Sequence, residues 1–148
     1  EVAGLIASYG LTHGRRTRGD MPREQVYLAD TLGELGTWYA LSDIVFLGGS
    51  LHPIGGHNPY EVAQAGAMVL SGTHVANFAE TYAELTALGA AEEIRYAAEL
   101  ADQVAKWLEQ PDTFQAARDA AGTFISRQSD QLDKTVDALL ALLPDRRP

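Results

Sequence analysis

The chain contains no cysteine, which excludes disulfide staples, zinc–thiolate sites and thiol nucleophiles together. It is also poor in positive charge, with 11 Lys and Arg against 20 Asp and Glu and a formal net charge of -9. That balance argues against nonspecific nucleic-acid binding, and an anionic membrane surface would repel most of the chain. No apolar run approaches the ~20 residues that a membrane-spanning helix needs, and no signal peptide is visible. There is no convincing Ser-His-Asp set and no metal-ligand spacing. His52, His57 and His74 are spread over loops without the i, i+4 helical geometry of a zinc site. An initiator methionine is missing too: the chain opens at Glu1, inside what reads as a helix, and is expected to be a fragment.

What is present suits a soluble globular fold. The 148 residues are 46% hydrophobic and 21% charged, which predicts one domain, 1–148, with a real core. Val2, Leu5, Ile6 and Tyr9 predict a helix that stops at Gly10. Thr12 to Arg18 reads as a polar edge strand. Its arginines Arg15, Arg16 and Arg18, with Arg23, are either a solvated guard or a contact for an anionic group. Gln25 to Ala29 is a second strand, and Thr31-Leu32-Gly33-Glu34 fits a capping box that opens a helix to about Leu41. Strands at Ile44–Leu47, Met68–Leu70 and Glu93–Tyr96 alternate with helices from Pro59 to about Gly66 and from Asn77 to Leu88. Three amphipathic helices follow, one through Leu100, Val104, Trp107 and Leu108, one from Pro111 through Phe124 and Ile125, and one from about Gln131 to Leu143. Pro144 to Pro148 reads as a frayed tail. The fold class expected is α/β, a doubly wound, Rossmann-like parallel sheet covered on both faces, with extra C-terminal helices.

Residues 44–61 organise the rest. An apolar strand, Ile44 to Leu47, runs into Gly48-Gly49-Ser50, then a second pair, Gly55-Gly56, and then His57-Asn58-Pro59-Tyr60-Glu61. Asn58 suits a helix N-cap, Pro59 the first helical position and Glu61 the third. Strand, glycine-rich loop and helix start gather backbone N–H groups where open α/β sheets hold phosphates. A tight strand-to-helix connection is the plain structural alternative.

The pattern Gly-Gly-Ser-Leu-x-x-x-Gly-Gly-His-Asn-Pro-x-Glu resembles the signature of the 3-deoxy-D-manno-octulosonic acid (Kdo) transferases. Two flanking segments resemble that family as well: Asp30-Thr31-Leu32-Gly33-Glu34-Leu35 and Ser71-Gly72-Thr73-His74-Val75-Ala76-Asn77-Phe78. The chain departs from the family pattern at Thr73 and at Met68, where prolines are common, so the loop around His74 is expected to be looser. The resemblance implies the C-terminal, donor-binding domain of a GT-B glycosyltransferase, with the N-terminal acceptor domain missing. The donor would be CMP-Kdo and the acceptor a lipid A precursor, reached through the missing domain. It further implies metal-independent, inverting transfer, with no cofactor and no metal site. No catalytic residue is expected in this part, the general base being a carboxylate in the missing half. The full-length protein would work at the cytoplasmic face of the bacterial inner membrane, this part being soluble. Another GT-B transferase with a different nucleotide sugar, or a module that binds nucleotide without catalysis, are the alternatives.

By the same resemblance the nucleotide sugar would be held by Gly33, Glu34, Gly48, Gly49, Ser50, Gly55, Gly56, His57, Asn58, Glu61, His74 and Asn77. Several have a cheaper structural reading. Glu34 with Thr31, and Asn77, fit helix caps, and His57 fits a loop-packing imidazole. Glu61 is either the end of a capping box or an acceptor for the two ribose hydroxyls.

Overall fold

Successive residues of the strand Ile44–Leu47 point alternately into two apolar clusters, and this alternation explains the architecture of the larger part of the chain. The computed structural model describes residues 1–142 and divides into two compact units, Glu1–Leu35 and the remainder from Gly36. In the second unit, β3 (Ile44–Leu47), β4 (Met68–Ser71) and β5 (Ala91–Glu93) form a parallel sheet in sequence order. Ile44 lies opposite Met68, and Val69 opposite Ala91.

Period-two geometry sends alternate side chains to opposite faces. On one face Leu47, Val69 and Ala91, with Val45, pack against Val62 and Ala63 of α3 (Tyr60–Gln64), Tyr82 and Leu85 of α4 (Ala79–Ala87), and Ala121 and Phe124 of α6 (Pro111–Ala141). On the other, Met68 and Leu70, with Ile44 and Phe46, meet Trp107 of α5 (Ala97–Glu109) and Ala117 of α6. The sheet is therefore covered on both faces, as a strand without polar alternation requires. Val62, Val69, Leu70 and Leu85 are fully buried, each contributing about 1.5–3 kcal/mol of burial. Arg118 on α6 ties the sheet's base, donating to the Gly66 carbonyl and to Asp43, each at 2.9 Å.

In the first unit α1 (Val2–Ser8) ends at Gly10, whose N–H donates to the Ala7 carbonyl while Leu11 N–H reaches Ile6. β1 (His13–Arg15) and β2 (Val26–Leu28) pair in parallel, His13 opposite Val26. A single 3-10 turn, Arg16–Arg18, follows β1.

Three expectations about local structure are corrected. The capping box at Thr31–Glu34 does not form. Gly33 has φ +81, outside any helix, Thr31 Oγ1 donates directly to the Glu34 carboxylate, and α2 (Leu35–Ala40) begins only afterwards. The last strand is Ala91–Glu93 rather than Glu93–Tyr96. The last two expected helices are one, Pro111–Ala141. The segment 126–130 between them is polar but holds no Pro or Gly, so nothing breaks the helix. The expected end at Leu143 and the tail Pro144–Pro148 lie outside the described residues. Among the described residues, no helix is long and apolar enough to cross a membrane.

Candidate donor-binding site

The loops that leave β3 and β4 are sewn together at the carboxyl ends of these neighbouring strands. Ser50 is the central stitch. Its side chain is fully buried, its hydroxyl donates to the Leu47 carbonyl at 2.6 Å, and it accepts the Gly72 N–H at 2.7 Å. The Ser50 carbonyl accepts the His74 N–H at 2.9 Å. Gly72 closes so tightly on this loop that a Cβ there would stand 2.2 Å from the Ser50 carbonyl oxygen. A second stitch runs from Asn77 N–H to the Gly55 carbonyl at 3.1 Å, and a third within the loop from Gly56 N–H to Gly49 carbonyl at 3.0 Å.

The loop backbone needs its glycines most at Gly55, where φ is +109 and the Asn77 side chain lies against the backbone. Gly49 and Gly56 also have positive φ, +68 and +75. The exposed imidazole of His57 folds back beside Gly49: a Cβ on that glycine would lie 3.3 Å from Nε2. Asn58 Oδ1 accepts the Tyr60 N–H at 3.0 Å, and Pro59 already has helical angles (φ -82, ψ -12), so Asn58 caps α3 as expected. The helix that follows has only 5 residues, too few turns for a large dipole.

Residues 55–58 offer backbone donors. Among the described residues, the N–H groups of Gly55, His57 and Asn58 meet no protein acceptor. Beside Gly55 lies an open hollow of about 490 Å³, lined by Ile54, Gly55, Thr73, His74 and Asn77. Of the basic side chains described in this unit, Arg95, Lys106 and Arg118 are committed elsewhere, to Glu99, Glu92 and Asp43, and Arg127 and Lys134 stand on α6. The arrangement is suited to receive an anion through backbone donors and imidazoles rather than through a paired cation.

Glu61 stands apart from these loops, on the first turn of α3. Its exposed carboxylate accepts no hydrogen bond among the described residues, so no capping box forms at this helix. It lines a second hollow of about 490 Å³ with Gly36, Ala40, Gln64 and Ala65. Burial, and then the Glu61 charge, push the Tyr39 hydroxyl above its ordinary pKa.

Gly48, Gly49, Ser50, Gly55, Gly56, His57, Asn58, His74 and Asn77 are thus brought together on the two loops, with Glu61 on the adjoining helix. Ser50 has its hydroxyl committed to backbone groups on both sides. Asn77 does not cap α4: the 3-10 turn Ala76–Phe78 precedes that helix, and no side chain caps either.

Gly33 and Glu34 belong to the first unit, where Glu34 has partners of its own. The Arg16 guanidinium, hydrogen-bonded at 2.6 Å, and then the Thr31 hydroxyl hold the Glu34 carboxyl down at about 2. Burial pushes Asp30 up, but bonds from Arg15 and from the Thr17 N–H and hydroxyl outweigh it and leave that carboxyl at about 2 as well. Arg15 and Arg16 of the basic cluster are therefore in ion pairs, whereas Arg18 and Arg23 are exposed and make none among the described residues.

One contributor escaped sequence reasoning. Tyr82 on α4, 1% exposed, donates its hydroxyl to the His57 carbonyl at 3.0 Å. On the apolar stripe Phe78, Tyr82, Leu85, Leu88 it reads as core. The available signal was chemical, since a tyrosine at a buried position must find its hydroxyl a partner.

No family model matches the chain. It is 34% identical over 142 residues to the 3-deoxy-D-manno-octulosonic acid transferase of Bordetella pertussis, covering 94% of this chain and 33% of that protein. Over 83 residues it is 42% identical to the transferase of the same name from Haemophilus influenzae, covering 55% of this chain and 19% of that one. The chain thus spans a third or less of the length of these relatives. The crystal structure of the C-terminal CMP-Kdo binding domain of WaaA from Acinetobacter baumannii superimposes with a TM-score of 0.79 at 31% identity, over 84% of this chain and 66% of that one. Parallel strands covered on both faces, with two loops interlocked at their carboxyl ends, define the C-terminal domain architecture of a GT-B glycosyltransferase. Within that class, the chain belongs to the Kdo transferase family.

Proposed function

We propose that this chain is the donor-binding part of a transferase that moves Kdo from CMP-Kdo to a lipid A precursor. The observation that carries the reading is the sewn pair of loops, which leaves the N–H groups of Gly55, His57 and Asn58 without a protein acceptor beside His57 and His74. Transfer replaces the bond from the Kdo anomeric carbon to the CMP phosphate with one to an acceptor hydroxyl. Negative charge accumulates on the departing phosphate, and preorganised N–H donors stabilise it without having to reorganise. The fixed loop supplies such donors, and the exposed His57 imidazole adds a ring N–H. Glu61, with no partner of its own, is assigned to the ribose hydroxyls. Gly33 and Glu34 are assigned to the nucleotide side of the cleft.

The acceptor, and the carboxylate that takes its proton, are assigned to residues outside this chain. So is contact with the cytoplasmic face of the bacterial inner membrane. Transfer in this reading uses no metal.

A titration of this chain with CMP, UMP and UDP, followed by backbone amide NMR, tests the proposal. CMP is expected to bind best and to shift Gly49, Gly55, Gly56, His57, Asn58 and Glu61 while leaving α5 unmoved. Tighter binding of UDP would instead assign the site to another nucleotide sugar, and shifts confined to α5 or α6 would remove these loops from the site.

A further inference from the structure

We infer that Tyr82 is a positioning residue of the donor site: its buried hydroxyl fixes the peptide between His57 and Asn58 so that the Asn58 N–H is presented to the nucleotide phosphate. The inference rests on the donor-binding reading above and names a residue outside the motif that makes the site work.

The His57 carbonyl and the Asn58 N–H belong to one planar unit and, in a trans peptide, point in opposite directions. No cis peptide occurs among the described residues. Tyr82 is 1% exposed and donates to the His57 carbonyl at 3.0 Å, so that oxygen is drawn toward the interior. The Asn58 N–H must then face away from Tyr82, and it meets no protein acceptor.

The preceding ties do not accomplish this. Asn77 N–H holds the Gly55 carbonyl and Gly56 N–H holds the Gly49 carbonyl, which fixes the Gly55–Gly56 peptide at both ends. Downstream, Asn58 Oδ1 accepts from Tyr60, which fixes the side chain but not the peptide before it. The His57–Asn58 peptide lies between these anchors, and Tyr82 makes the only protein hydrogen bond to it among the described residues. The anchor itself is rigid, because the Tyr82 ring sits in the core with Val62, Val69, Val75 and Leu85. Burial, then the neighbouring Tyr39 and Glu93, push its hydroxyl up to about 12, so the proton it donates stays in place through the neutral range.

Tyr82→Phe keeps the ring and removes only the donor. In this chain the expected result is a CMP affinity lower by roughly three- to tenfold, the worth of one neutral hydrogen bond. The CMP-induced shift should shrink most at Asn58. Trp107→Phe, a core change on the other face of the sheet, is the control for simple destabilisation and should leave CMP affinity as it is. Equal CMP affinity in wild type and Tyr82→Phe overturns the inference while leaving the donor reading intact. An equal loss in both variants also overturns it, since destabilisation alone would then account for the effect. A wild-type chain that binds no CMP removes the donor reading and the inference with it. Should Tyr82→Phe not fold, the wild-type ring resonances decide: saturation with CMP is expected to move those of Tyr82 and not those of Trp107, and an unmoved Tyr82 overturns the inference.

Discussion

The Asn77 side chain rests on Gly55 so closely that a Cβ built on this glycine would stand 2.4 Å from Nδ2, while φ at Gly55 is +109. Gly55→Ala therefore meets two independent obstacles, a clash and a backbone conformation that L-residues rarely adopt. Such strain costs on the order of 1–3 kcal/mol. The exposed Asn77 side chain can swing away from the new methyl, but the strained dihedral stays, and because the Gly55 carbonyl also takes the Asn77 N–H, that strain is passed to the contact between the two loops. The expected outcome is lower stability in urea and a loss of CMP binding. Adding Asn77→Ala should recover only part of the stability, since it removes the clash and leaves the dihedral strain. Wild-type CMP affinity in Gly55→Ala would show that the loop is not where nucleotide binds.

How much of this was legible beforehand depended on whether a residue acts through its neighbours in sequence or across space. The apolar runs at β3 and β4, the Asn58 cap and the glycine loop are local patterns, and they appear where expected. Asn77 looked like a cap because it precedes an apolar stripe. Its contact with Gly55 is made between loops 22 residues apart, by the chain's own numbering, and no local pattern encodes that. Thr31 and Glu34 had the spacing of a capping box, but the positive φ at Gly33 and the pull of Arg16 on Glu34 lead to a different turn. The break expected before Gln131 is absent, because the polar segment 126–130 brings neither a cap nor a breaker. Polar residues end a helix only when a cap or a breaker comes with them.

Ser50→Ala is expected to destabilise the second unit. The hydroxyl serves two backbone groups, the Leu47 carbonyl and the Gly72 N–H, in a fully buried place where water cannot replace it. Leaving a buried polar group without a partner costs about 1–3 kcal/mol. Urea unfolding should register a loss of this size, with CMP affinity falling too because the loops are no longer pinned to each other. An unchanged midpoint would mean that the stitch is dispensable.

The first unit should lose stability in acid. Asp30 and Glu34 are held at about 2 in the folded chain, against 3.8 and 4.5 for the free groups. The unfolded chain binds more protons than the folded one between these values, so stability falls as pH falls. The contribution is present in full above about 4.5 and disappears as the pH approaches about 2. The protection of amides within residues 1–35, measured against their intrinsic exchange rates, should fall down this range, and Asp30→Asn should flatten the dependence. The same slope in Asp30→Asn and Glu34→Gln would place the acid sensitivity in other carboxylates.

Glu61 decides between a cap and a ligand contact. It occupies the third position of a helix capped by Asn58, which is where a capping-box glutamate belongs. Yet its carboxylate accepts no bond from the Asn58 N–H or from any other described group, and that same N–H has no acceptor either. Removing the charge should therefore cost little in the free protein, and the melting temperature of Glu61→Gln is expected to match wild type. In the bound state the result differs if the carboxylate receives both ribose hydroxyls. Hydrogen bonds to a charged group contribute about 1.5–3 kcal/mol, so its replacement by a neutral amide should weaken CMP by roughly tenfold or more. Cytosine ribonucleotide and its 2′-deoxy counterpart, titrated in parallel, sharpen the test. Wild type should prefer the ribonucleotide, and Glu61→Gln should lose most of that preference. A Gln variant with full affinity and full preference would take Glu61 out of the site.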